Sequence, residues 1–90
     1  MFVINKFKMI LGKIILINTT KKFFCVNLEN EEYTIVEYYD DNDISENDLV
    51  LARNMLGDAF IKNETTDKYF QGKIRYLGLS EKKMKKIINE

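Results

Sequence analysis

Histidine, proline and tryptophan are absent from this 90-residue chain, and cysteine occurs once, at Cys25. Without an imidazole, neither Cys25 nor any serine has its usual activating base, and the commonest transition-metal ligand is missing. Hydrolytic triads and zinc centres are therefore excluded. A lone cysteine cannot close an intramolecular disulfide, and the paired cysteines that staple small secreted domains are lacking, so a reducing, cytoplasmic setting is expected. Between Phe24 and Val26, Cys25 reads as a small buried hydrophobe and not as a nucleophile. Glycine is limited to Gly12, Gly57, Gly72 and Gly78. These form neither GxxxxGK[ST] nor GxGxxG, which removes the phosphate-cradling loops. The missing proline and the lack of any Gly/Ser tract leave no linker, so residues 1–90 read as a single domain. Residues 1–17 are apolar but broken by Lys6, Lys8 and Lys13, a pattern that suits neither a signal peptide nor a membrane span. The expectation is a non-enzymatic protein with no cofactor and no metal.

What is present is patterned with a period of two. Hydrophobic residues make up 46% of the chain and charged ones 31%, the composition of an ordinary globular domain. Residues 9–18 are rich in isoleucine and leucine around Gly12. Residues 22–28 and 32–39 form two aromatic and β-branched arms about a polar turn at Asn30-Glu31, and 48–53, 59–63 and 68–77 complete the strands. Gly57-Asp58 suits a tight turn, and 1–8 reads as an edge strand or a frayed segment. At the end of the chain the period changes. Ser80 suits an N-cap, and Met84, Ile87 and Ile88 share one side of a short helix over 80–89, opposite Lys82, Lys83, Lys85 and Lys86. Such a helix draws its stability from burying that stripe and is expected to plug one end of a barrel. The fold class is therefore all-β: a small five- to six-stranded antiparallel barrel, OB-like or SH3-like, with a short C-terminal helix.

Fourteen basic and fourteen acidic residues balance to zero, which argues against a general nucleic-acid binder. The charges are nevertheless segregated. Every charged residue through Leu28 is a lysine, and every one from Glu29 to Asp48 is acidic. The acidic run at 40–48 meets two calcium-loop offsets when read from Asp41, at Asp43 and Ser45. It then fails, with Glu46 where the turn glycine belongs and Ala52 where the bidentate glutamate belongs, so a solvated loop is expected there.

The order Gly12-Lys13-Ile14, Lys22-Phe23-Phe24-Cys25-Val26, Tyr33-Thr34-Ile35-Val36-Glu37-Tyr38, Ile44-Ser45-Glu46-Asn47-Asp48-Leu49-Val50 and Gly57-Asp58-Ala59 resembles the strand sequence of OB-fold barrels. The nearest likeness is to the cold-shock and S1-like branch. In those families the second and third strands present aromatics that stack on single-stranded bases. The resemblance matches Phe23 and Phe24 to the first aromatic strand, Val36 and Tyr38 to the second, and Lys13 and Lys22 to the flanking bases. The family's Gly-Phe-Gly-Phe spacing is replaced by Phe23-Phe24-Cys25-Val26, and the turn glycine by Asn47, which tolerates left-handed geometry.

With the turn at Asn30-Glu31, Phe24 opposes Glu37 and Phe23 opposes Tyr38. Phe24, Val26, Leu28 and Ile35 then point to the core, and Phe23 and Tyr38 form the outer pair. The specific expectation is a binding module for single-stranded RNA or DNA, with Phe23 and Tyr38 as platforms and Lys13, Lys22, Lys73 and Arg75 at the phosphates. The alternative is a protein-interaction module working through a strand edge or the charge-segregated surface.

Overall fold

The structure, a computed structural model, describes residues 9–39 and 43–90; the expected edge strand at 1–8 and the first part of the acidic loop lie outside the described residues. Six strands, β1 (Met9–Asn18), β2 (Phe23–Leu28), β3 (Tyr33–Tyr38), β4 (Leu49–Arg53), β5 (Gly57–Asn63) and β6 (Lys68–Leu79), precede one helix, α1 (Glu81–Ile88). They close into a barrel in the order β1-β2-β3-β6-β5-β4, with every neighbouring pair antiparallel. The architecture is two three-stranded meanders joined along both sides, β1 to β4 and β3 to β6. Closure of this kind pairs the strand edges that an open sheet would leave free.

Alternation divides β1, β2, β3 and β6 between two apolar layers, while β4 and β5 contribute only to the inner one. Ile14, Phe24, Val26, Val36, Ile61 and Ile74 are among the residues filling the barrel interior, with Ile44 packed against them from the loop before β4. Gly72 lets β6 pass close to β3, since a Cβ there would lie 2.7 Å from the Glu37 carbonyl oxygen and 2.9 Å from Ile61 Cδ1. The second layer is on the outside. Cys25, Ile35 and Leu79 point away from the interior and are covered by Met84 of α1, with Phe23, Tyr33, Ile87 and Ile88 half-buried around them.

The helix thus lies on the outward face of β3 and β6 and does not plug a barrel end. Its stripe of Met84, Ile87 and Ile88 finds its apolar counterpart there, and only Ser80 separates it from β6. The expected N-cap is in place: Ser80 Oγ accepts a hydrogen bond from the Lys83 amide at 3.2 Å, and Glu81 pairs with Lys85 at 3.0 Å one turn on.

The central hairpin departs from its expected register by one residue. Phe23 pairs with Glu37 and Phe24 with Val36. The connection is a three-residue loop, Glu29-Asn30-Glu31, with the Leu28 amide bonded to the Glu32 carbonyl at 2.8 Å and Glu31 in the left-handed region at φ 61°. A left-handed third residue is the usual device of three-residue hairpins. One extra loop residue exchanges the faces of β3, so Thr34, Val36 and Tyr38 turn inward and Ile35 turns outward beneath α1. Gly57-Asp58, expected as a turn, belongs to β5; the turn is at 54–56.

One end of the barrel is held by a buried polar cluster. Asn63, 1% exposed, donates from Nδ2 to Asp48 Oδ2 at 2.9 Å and to the Asp43 carbonyl at 3.1 Å, while its Oδ1 accepts from the amides of Thr65 and Thr66. Asp48 also accepts from the Ser45 amide at 2.9 Å. Asp48 is therefore a buried tether joining the loop before β4 to the β5–β6 turn, not a member of a solvated loop.

Candidate functional site

The structure distributes the six sequence-predicted site residues over the molecule. Tyr38 is 5% exposed, its ring centroid 6.1 Å from that of Phe24 inside the barrel. It cannot form the expected outer pair with Phe23, because a ring enclosed in this way offers no face for stacking. Lys22 lies at the same end with its ammonium 5.6 Å from the Tyr38 ring centroid. Lys13 is exposed on β1, between Asn27 of β2 and Leu49 of β4. Lys73 and Arg75 are on β6, Lys73 opposite Glu37 and Asp58, and Arg75 with Nε 3.6 Å from Glu37. Two strands separate β1 from β6 in either direction around the barrel, which puts Lys13 on the far side from Lys73 and Arg75.

Phe23 and Arg75 do come together. They line a groove of about 200 Å³ where the last turn of α1 leaves the sheet, with Ile35, Tyr76, Ile87 and Ile88 as its apolar surface and Lys21, Glu37 and Arg75 at its mouth.

The largest exposed rings lie elsewhere. Phe60 on β5 is 67% exposed and Tyr69 on β6 68%, and they sit diagonally, since Phe60 pairs with Gln71 and Lys62 with Tyr69. Lys62 holds its ammonium 5.7 Å from the Tyr69 ring centroid. Register extends this surface sideways: Tyr69 pairs with Lys62, Lys62 with Leu51 and Leu51 with Leu11, one row across four strands, beside the exposed Leu49. The alternation of Asp58, Phe60 and Lys62, and of Tyr69, Gln71 and Lys73, is the sequence signal for outward-facing rings here.

Two of the cations near this surface, Lys62 and Lys68, are matched by carboxylates. Lys62 Nζ lies 3.1 Å from Asp67 and 3.6 Å from Glu64, and those carboxylates, Asp67 first through its hydrogen bond, raise the ammonium's pKa above the ordinary lysine value. Lys68 lies 2.6 Å from Asp43, whose carboxyl is held below its usual range by that bond. Cys25 is fully buried, and desolvation pushes its thiol up to about 11, the opposite of an activated nucleophile.

Among the described residues no group of three or more acidic or cysteine side chains is placed to hold a metal, and no helix is long and apolar enough to cross a membrane. No family model, no curated protein and no solved structure matches the chain.

Proposed function

We propose that this protein is a non-catalytic protein-interaction module whose recognition surface is the outward face of β1, β4, β5 and β6. The observation that carries this reading is the cross-strand row Leu11, Leu51, Lys62 and Tyr69, flanked by Leu49 and Phe60, in which the one cation, Lys62, is engaged by Asp67 and Glu64. Aliphatic side chains add nothing to base stacking but supply the apolar centre of a protein interface, with aromatic anchors and a polar rim. A nucleic-acid surface draws its affinity from unmatched cations at the phosphates, and the zero net charge and the ion pairs of Lys62 and Lys68 work against that.

A second reading is favoured by one specific observation: Phe60 and Tyr69 are neighbouring rings on adjacent strands, beside lysine and glutamine. That is the stacking geometry single-stranded nucleic acid uses, and the OB-like resemblance supports it, with the platform moved from Phe23 and Tyr38 to Phe60 and Tyr69.

A photo-crosslinking amino acid placed at Tyr69 or Leu11 in cells of the source organism separates the two. The expected product is one defined protein adduct, lost when Leu49→Lys is added. RNA or DNA adducts would establish the second reading. Crosslinks obtained only from a control position on α1, such as Lys83, would overturn both.

A further inference from the structure

The groove beside α1 has a chemistry that neither reading of the β5–β6 face uses. Three strands supply its floor, with Phe23 from β2, Ile35 from β3 and Tyr76 from β6, and Ile87 and Ile88 supply its helical wall. Met84 seals the deeper part of this outer layer at 4% exposure, but toward the end of the helix the seal is incomplete: Ile87 and Ile88 are only half-buried and Tyr76 is 41% exposed. Apolar side chains left partly uncovered around a concave volume lose both contact and hydrophobic stabilisation that an occupant would restore.

The mouth specifies the occupant's charge. Lys21 and Arg75 flank the opening, and Glu37 is the single acidic side chain lining it. Arg75 meets Glu37 through Nε at 3.6 Å, which leaves the terminal nitrogens of its planar fork for a second carboxylate. Lys21 donates to the main-chain oxygen of Glu90 at 3.1 Å, which holds its ammonium at this rim and uses one of its three N–H donors. About 200 Å³ is below the usual range of ligand pockets, which restricts the occupant to a short apolar body.

From this charge complementarity and size we propose that the α1 groove is a binding site for small amphiphilic organic anions, compounds with a short aliphatic or aryl body and one carboxylate. The apolar body lies on Phe23, Ile35, Tyr76, Ile87 and Ile88, and the carboxylate reaches Arg75 and Lys21. A cationic amphiphile of the same length gains the apolar contacts but meets the two cations with the wrong sign.

The test is isothermal titration calorimetry of octanoate and of octyltrimethylammonium into the folded protein. The expected result is saturable one-to-one binding of octanoate, with octyltrimethylammonium bound more weakly by about tenfold or more. Arg75→Gln, on an exposed side chain, is expected to weaken octanoate about tenfold with an unchanged circular dichroism spectrum. Ile88→Asn, at the half-buried wall, is expected to weaken octanoate while leaving the preference for the anion intact. Equal affinity for the two amphiphiles, binding indifferent to Arg75→Gln, or no saturable binding by the folded protein would overturn the assignment.

Discussion

Thr34 is the residue at which the barrel interior is least self-consistent. It is 1% exposed among Phe24, Val26, Val36 and Ile61, and its Oγ1 has no hydrogen-bond partner. A buried hydroxyl without a partner carries its desolvation cost uncompensated, so Thr34→Val, nearly isosteric, is expected to raise unfolding free energy by about 1 kcal/mol in urea titrations. A loss of stability would show that the hydroxyl is partnered. Cys25 gives a second test at this scale. Its thiol titrates at about 11 in the folded chain against 9.0 for an unperturbed group, so the folded state holds the proton more tightly than the unfolded state. The stabilisation is complete below pH 9 and is lost as pH rises toward 11. Cys25→Ala should therefore lose less stability than the parent between pH 9 and 11, and native thiol labelling should be slow until the chain unfolds.

At the scale of elements, the legible features were those that depend on composition and period. Six apolar runs of period two became six strands, and the change of period at Ser80 marked the helix and its Met84, Ile87 and Ile88 stripe. Cys25, expected as a small buried hydrophobe, is buried under the helix. What escaped was a single loop residue. Asn30-Glu31 has the polar composition of a two-residue turn, yet Glu31 takes the left-handed conformation of a three-residue one, and the choice depends on how β3 pairs with β6 as well as on the loop. That one residue decides which tyrosine of β3 faces water, and with it whether Phe23 and Tyr38 can share an outer face. A non-glycine residue at φ 61° is strained, so Glu31→Gly is expected to stabilise the protein by about 0.5–1 kcal/mol without altering the fold. Destabilisation on thermal unfolding would mean that the loop is not of this type.

The whole molecule resolves the charge segregation seen along the chain. Basic and acidic residues far apart in sequence are brought together by the fold, Lys68 with Asp43 and Arg75 with Glu37, while Lys62 is matched locally by the carboxylates of the β5–β6 turn. Part of the cancellation therefore happens in space and not only in the sum; Lys82, Lys83 and Lys86 stay exposed on α1, and elsewhere the barrel exposes apolar faces. The barrel presents two of them on different sides, the row from Leu11 to Tyr69 and the groove under the end of α1. The groove depends on the β2–β3 register that buries Tyr38 and turns Ile35 outward, and the row on the β5–β6 register that leaves Tyr69 in solvent. Nitration of the native protein with tetranitromethane, read residue by residue by mass spectrometry, measures that difference directly. Tyr69 is expected to react first. Tyr39 should be slower despite its exposure, because its hydrogen bond to Asp58 at 2.9 Å raises its phenol pKa, and Tyr38 should be protected until unfolding. Modification of Tyr38 at the rate of Tyr69 in the folded protein would contradict the register and return the exposed aromatic platform to β2 and β3.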